Sequence, residues 1–204
     1  MVSAPRVYLL SPARTNSLRA GQLAHSETPL GVALRSPQGA PLGEAFAYLS
    51  SLYFRGKLAY ASRFGSTSLA VPGALVITPG HGLCRPSTRV RSADLAAMGQ
   101  IEVDAENPVF VQPLLRDIKR LVKSAPADTE FVLLGSIATP KYVEPLSSVL
   151  EERLLFPREF VGRGDMSRGG MLLRAARDGT QLEYVPVQNA VLKGPRARKL
   201  AALR

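Results

Sequence analysis

The sequence has little cysteine and histidine and no tryptophan. Cys84 is the single cysteine, and His25 and His81 are the two histidines among 204 residues. One cysteine cannot form an internal disulfide, and three such side chains cannot supply the four ligands of a structural zinc site. The single cysteine argues against zinc-dependent deaminases, whose three zinc ligands include at least two cysteines. We therefore expect no Cys/His metal site, whereas a carboxylate-bound Mg²⁺ is not excluded.

Long apolar runs are also missing. Nothing approaches the eighteen apolar residues of a membrane-spanning helix, and Val7 to Leu10 is too short for a signal-peptide core. The lone cysteine fits a reducing compartment. We therefore expect a cytoplasmic protein with no membrane contact, and no obligate protein partner is evident from the sequence.

Acidic residues are scarce in particular parts of the chain. There are 26 Lys and Arg against 16 Asp and Glu, a formal net charge of +10. Residues 1–26 and 184–204 contain no acid, and a third basic cluster comprises Arg85, Arg89 and Arg91. The planar guanidinium of arginine suits bidentate phosphate contacts. This distribution favours a nucleic-acid partner; the alternative is an ordinary solvated basic surface.

Short apolar segments alternate with amphipathic ones, which indicates an α/β domain with a short, mostly parallel sheet covered on both faces. We predict strands over 6–10, 74–77, 131–134 and 154–156, and helices over 43–64, 113–123, 141–153 and 171–177. Pro113 is expected at the start of its helix. Residues 1–189 are predicted to form one catalytic domain, and 190–204 a basic C-terminal tail.

Ligands of such sheets bind beyond the carboxyl ends of the strands. This rule selects four segments, 11–21, 78–85, 135–141 and 161–170, as candidate site loops. In the first, Ser11 and Asn16 are candidates for contact with a base, and Arg14 and Arg19 for contact with phosphates. The alternative is a polar turn that caps a helix.

The second and third loops contain further candidates. Thr78 is a candidate substrate contact, and His81, between two glycines, could donate a hydrogen bond to a departing base. Ser136 and Lys141 follow the third strand at a helix start, where free backbone N–H groups attract anions. A surface loop and a helix cap are the respective alternatives.

The fourth loop, Gly162 to Gly170, has the highest density of candidate site residues. It places Asp165 between Arg163 and Arg168, with Ser167 beside them, at a predicted helix start. A carboxylate held by arginines stays ionised and can position water or stabilise a cationic sugar. We expect Asp165 to be catalytic, Ser167 to contact substrate, and Arg163, Arg168, Lys141, Lys193 and Arg196 to bind DNA. Asp165 or Ser167 as a simple helix cap is the alternative.

The order of these segments resembles the uracil-DNA glycosylase superfamily. Phe131-Val-Leu-Leu-Gly-Ser-Ile137 is similar to the family's strand ending in a Leu-x-Gly turn, and Ser11-Pro-Ala-Arg-Thr-Asn16 occupies the place of its first motif. The usual Gly-x-Asp/Glu-Pro-Tyr and His-Pro-Ser motifs are absent; Asp165-Met-Ser167 stands near the second. The chain also resembles divergent bacterial members proposed to attack modified bases in phage DNA.

The resemblance implies a three-layer α/β/α fold and hydrolysis of the N-glycosidic bond of a flipped base, in double- or single-stranded DNA. It implies no metal or organic cofactor. Asp165 would serve the sugar or the water, and His81 the leaving base. Two other functions remain open: a nucleoside, nucleotide or tRNA base-processing hydrolase, and a non-enzymatic nucleic-acid-binding module.

Overall fold

A computed structural model describes residues 4–65, 71–188 and 190–197. It is an α/β fold, consistent with three layers, whose six-stranded central sheet has the order β4-β3-β1-β6-β7-β8. The strands of this sheet are β1 (Arg6–Leu10), β3 (Ala74–Thr78), β4 (Gly82–Cys84), β6 (Glu130–Leu134), β7 (Leu154–Pro157) and β8 (Tyr184–Pro186). A separate antiparallel pair is formed by β2 (Ala40–Pro41) and β5 (Arg89–Val90).

The four inner strands are parallel, as the continuous apolar runs predict. β1 pairs with β3 on one side and β6 on the other, and β6 pairs with β7. The two edge strands, β4 and β8, run antiparallel to their neighbours. Val7 to Leu10 in β1 and Phe131 to Leu134 in β6 are fully buried, so the core is centred on this strand pair.

Helices cover both faces of the sheet. Those of the described chain are α1 (Leu18–Ala24), α2 (Pro29–Arg35), α3 (Leu42–Ser50), α4 (Leu52–Phe64), α5 (Ser92–Gly99), α6 (Pro108–Ser124), α7 (Pro140–Leu150) and α8 (Asp165–Asp178). α4 packs on α8 and α6 packs on α7. No helix among the described residues is long and apolar enough to cross a membrane.

Several predicted helix boundaries were wrong. The predicted helix over 43–64 is two helices, because the chain turns at Ser51 with φ +49°. α6 begins at Pro108, so Pro113 lies in its interior and not at its start. α7 ends at Leu150, and a short 3₁₀ turn continues to Arg153. α8 begins at Asp165, six residues before the predicted start at Met171, and Gly179 caps its C-terminus as expected.

A close helix crossing explains two glycines that weaken helix propensity. A Cβ on Gly56 of α4 would lie 2.5 Å from the carbonyl oxygen of Gly169 in α8. A Cβ on Gly169 would in turn lie 2.7 Å from the carbonyl oxygen of Leu52. Only hydrogen side chains allow this approach, which brings the first turns of α8 next to the middle of α4.

Candidate functional site

A cavity of about 690 Å³ opens where the parallel strands end. Each of the four segments selected from the sequence contributes to it. Its wall includes Ser11, Pro12, Ala13, Arg14, Thr15 and Asn16 after β1, Pro79 after β3, Ser136, Lys141 and Tyr142 after β6, and Asp165 of α8. The sheet topology therefore brings together residues more than 150 positions apart in the chain, as the strand-end rule predicts.

The loop after β1 is held against the loop after β6. The Ser11 amide donates a hydrogen bond to the Leu134 carbonyl at 3.2 Å, and a Cβ on Gly135 would lie 2.9 Å from the Ser11 Cβ. Gly135 thus allows the two strand ends to approach closely. Ser11 itself is buried at the cavity wall.

Arg14 and Asn16 lie at the exposed rim of the cavity. The Arg14 Nε donates to the Asn16 Oδ1 at 3.2 Å, which leaves the terminal guanidinium nitrogens with donor capacity toward a ligand. Ser17 caps α1 by accepting from the Ala20 amide. The helix-cap alternative therefore applies to Ser17, whereas Asn16 lines the cavity.

Lys57 of α4 is a feature of the site that sequence reasoning missed. Its side chain is fully buried, and Nζ donates to the Ser11 carbonyl oxygen at 2.7 Å and to the Ser11 Oγ at 2.9 Å. Burial lowers the pKa of Lys57 to about 7; the Asp165 charge acts in the opposite direction, and Arg168 adds to the lowering. A lysine in an amphipathic helix normally reaches solvent, so nothing in the sequence pattern marks it.

Tyr53, one turn earlier in α4, lies between Lys57 and the cavity. The Lys57 Nζ is 4.3 Å from the centroid of the Tyr53 ring. Burial raises the pKa of Tyr53, the nearby Arg168 acts in the opposite direction, and no acceptor for the Tyr53 hydroxyl proton is found among the described residues. Tyr142 of α7 is a second buried tyrosine of the wall, and burial raises its pKa too.

Asp165 and Arg168 occupy the first turn of α8 but differ in exposure. The Asp165 carboxylate is 72% exposed at the cavity wall, and its Oδ1 is 3.9 Å from the Arg168 Nη1. Arg168 is buried and donates through Nε and Nη2 to the Phe160 carbonyl oxygen. It is therefore not on the surface, where a phosphate contact was expected. Arg168 instead joins α8 to the preceding turn.

The other two residues of this loop contact each other. The Arg163 Nη1 donates to the Ser167 Oγ at 3.2 Å. Neither residue lines the cavity. Of the two arginines predicted to flank Asp165, Arg168 forms an ion pair with its carboxylate.

The β3–β4 hairpin contains two predicted site residues that lie outside the cavity. Thr78 is fully buried and its Oγ1 donates to the Gly82 carbonyl oxygen. His81 is exposed in the turn. Gly82 has φ +71°, and a Cβ there would meet the Asp117 carboxylate, which accepts from the Leu83 amide. Turn geometry and packing account for the Gly-His-Gly sequence, and the structure does not place Thr78 or His81 in the lining of the cavity.

Three remaining predicted DNA contacts are exposed at different places. Arg19 of α1 stacks on the Tyr48 ring at 5.5 Å. Lys193 and Arg196 lie in residues 190–197, which pack on the domain: the Ala197 amide donates to the Gly162 carbonyl oxygen. The described part of the predicted tail is thus attached beside the α8 loop. The other predicted tail residues, 198–204, lie outside the described chain.

One wall of the cavity comes from a segment that the sequence left unassigned. Residues 98–103, at the end of α5 and just after it, contribute Gln100 and the second carboxylate of the wall, Glu102. No strand end precedes this segment, so the strand-end rule could not find it. Among the described residues, no group of three His, Cys, Asp or Glu side chains is placed to hold a metal ion.

The cavity therefore combines hydroxyl and amide groups, two tyrosine rings, two carboxylates and the cations Arg14 and Lys141. Such a set can read the edge of a flat polar ring and bind an adjacent phosphate. A scan of protein-family models and searches of curated proteins and of solved structures found no match to this chain. The resemblance to the uracil-DNA glycosylase superfamily thus depends on the sequence features alone.

Proposed function

We propose that the protein is a DNA glycosylase that hydrolyses the N-glycosidic bond of a flipped base in the strand-end cavity. The observation that supports this most is the exposed Asp165 carboxylate, which shares one cavity with base-sized polar and aromatic groups. At about 690 Å³, the cavity is large enough for a nucleoside unit.

Ring recognition is assigned to the polar and aromatic residues of the wall. Ser11, Asn16 and Ser136 offer hydrogen-bond donors and acceptors, and Tyr53 and Tyr142 offer ring surfaces. A flipped base is typically read by hydrogen bonds to its edge and by stacking against such side chains. Asn16 and Ser136 reach the same cavity from different strand ends, so they can contact different edges of one ring.

Bond cleavage is assigned to Asp165. Its carboxylate orients a water molecule toward C1′ and stabilises the positive charge that develops on the sugar. The water oxygen bonds to C1′ as the C1′–N bond breaks, and the base leaves with the bonding electron pair and takes up a proton. The Arg168 Nη1 lies 3.9 Å from the Asp165 Oδ1, so the two side chains form an ion pair beside the cavity.

Phosphate contacts are assigned to Arg14 and Lys141, here called the rim cations, with Arg19, Lys193 and Arg196 as outer contacts. The formal charge of +10 suits long-range attraction to DNA. The lone Cys84 fits a cytoplasmic location, where this substrate is present. Defence against phages with modified DNA is the setting in which we would first seek the substrate.

The test is release of free base and formation of abasic sites from a panel of DNAs that includes heavily modified phage DNA. We expect wild-type protein to act on at least one of them, and Asp165→Asn to lower the rate about 10²–10⁴-fold. His81→Ala is the matched control, because His81 is exposed outside the cavity; its rate should equal the wild-type rate. Equal rates for Asp165→Asn and wild type would contradict the assignment.

The same panel separates the other functions. Turnover of mononucleosides without turnover of DNA would indicate a nucleoside hydrolase, and cleavage of RNA alone a tRNA-processing enzyme. Salt-sensitive binding without any product would indicate a binding module. The double charge reversal Lys193→Glu/Arg196→Glu tests the outer contacts better than deletion of residues 190–204, because 190–197 pack on the domain.

A further inference from the structure

The buried amine of Lys57 is hydrogen-bonded to Ser11 at the cavity wall. The lysine is fully buried, and both of its hydrogen bonds go to Ser11, one to the carbonyl oxygen and one to Oγ. An ammonium group has donors and no acceptor. In this pair the Ser11 Oγ must therefore accept, and its own proton must point elsewhere.

The surroundings of Ser11 leave only the cavity as a place where its hydroxyl proton can find an acceptor. The Ser11 amide is already used by the Leu134 carbonyl, and no acceptor for the Ser11 hydroxyl proton is found among residues 4–65, 71–188 and 190–197. The residue lines the cavity. We propose that Lys57 is a positioning residue that makes Ser11 a hydrogen-bond donor to the ligand, so that the cavity selects a base with an acceptor at this point.

Tyr53 independently indicates that this part of the wall offers a hydrogen-bond donor to a ligand. Arg168 is close enough to donate to the buried hydroxyl oxygen of Tyr53, and no acceptor for the hydroxyl proton is found within the described chain. Neither Arg168 nor the nearby Lys57 can accept a hydrogen bond, so the hydroxyl proton of Tyr53 is also left for a ligand. Two hydroxyl protons beside two buried cations suit a carbonyl oxygen and reject an amino group, because an amino group has no acceptor to offer.

The inference deepens the proposed function and depends on it for one assumption, that a base enters this cavity. It assigns the substrate as a base that carries a keto oxygen, in preference to the related base that carries an amino group at the same position. Lys57 does not line the cavity, so it acts through Ser11 and not on the base itself.

Two pairs of free bases provide the probe: hypoxanthine with adenine, and uracil with cytosine. Each pair exchanges a keto oxygen for an amino group, and dissociation constants are measured by equilibrium dialysis at pH 6, where Lys57 is charged. For wild-type protein we expect at least one keto base to bind about tenfold more tightly than its amino partner. Lys57→Met and Ser11→Ala should each reduce the preference to within about twofold.

A pH series on wild-type protein gives the same test without a substitution at a buried site. Between pH 6 and pH 8 Lys57 loses its charge, because its pKa is about 7, and the neutral amine can accept the Ser11 proton. The charged and titratable groups that face Lys57 are Asp165 and Arg168 of α8 and Tyr53 of α4. The keto preference should fall over this range in wild type, and Ser11→Ala should show no such change.

The outcomes separate this inference from the proposed function. A keto preference that survives Lys57→Met and is constant with pH would overturn the inference, and so would the absence of any preference in wild type. If base release from DNA is observed in either case, the proposed function stands without it. If no base binds and none is released, both fail.

Discussion

Positive charge has two different roles around the strand-end cavity. The rim cations Arg14 and Lys141 line the opening, and Arg14 is exposed there. Lys57 and Arg168, here called the buried cations, donate their hydrogen bonds to backbone carbonyl oxygens and to Ser11 inside the fold. The difference shows that net charge alone does not identify ligand contacts: rim cations can bind a ligand, whereas buried cations shape the groups that bind it.

Removal of Arg168 should have the largest effect on stability. Arg168→Ala removes two hydrogen bonds to the Phe160 carbonyl oxygen and the packing of a buried side chain. We expect a loss of about 4 kcal/mol in the free energy of unfolding, measured in urea. Arg14→Ala is the control at the rim and should stay within about 0.5 kcal/mol of wild type. Equal effects would remove the distinction between the two kinds of cation.

Lys57 should make stability depend on pH. Its folded pKa of about 7 lies below the ordinary value of 10.5, so the unfolded chain binds the extra proton between these values. Stability from this group therefore increases as pH rises from about 7 to 10.5. Relative to Lys57→Met, wild type should gain roughly 3 kcal/mol between pH 6.5 and 9.5. A constant difference between the two proteins would show that Lys57 has no depressed pKa.

The buried cations depend on the close crossing of α4 and α8. Gly169→Ala places a Cβ against the Leu52 carbonyl and should cost about 2 kcal/mol in urea unfolding. Gly170→Ala is the adjacent control: no atom lies within 4 Å of its Cβ, so helix propensity should make it neutral or slightly stabilising. If Gly169→Ala were equally tolerated, the close crossing of α4 and α8 would not be required for stability.

The smallest effect is expected for a single rim cation. Arg14→Ala should weaken DNA binding a few-fold and reduce the slope of log affinity against log salt by about 1, measured by fluorescence anisotropy. Arg177→Ala, at the far end of α8 and paired with Asp178, is the control and should leave the slope unchanged. An unchanged slope for Arg14→Ala would mean that the rim does not contact phosphate.

Strand ends could be predicted from the sequence, but burial of individual polar residues could not. Apolar runs such as Val7 to Leu10 mark the parallel strands, and strand topology then brings Ser11, Ser136 and Asp165 to one cavity. Lys57 was missed because its burial follows from the crossing of α4 and α8, which depends on glycines more than 100 residues apart.

The hairpin after β3 shows the opposite error. Thr78-Pro-Gly-His-Gly82 has the composition of a ligand loop, but its glycines are needed for a turn with positive φ and for packing against Asp117. The strand-end rule assumes that a chain leaving a strand crosses to a helix. Here it returns at once as the antiparallel strand β4, and His81 in the turn does not line the cavity.

The most direct test of the site is to map DNA binding on the protein by ¹H–¹⁵N chemical-shift perturbation with a short oligonucleotide that carries a substrate base. The account predicts the largest shifts at the amides of Ser11, Asn16, Ser136 and Asp165, with little change at His81. Shifts concentrated in the hairpin around His81, with the amides of the cavity wall unaffected, would contradict it.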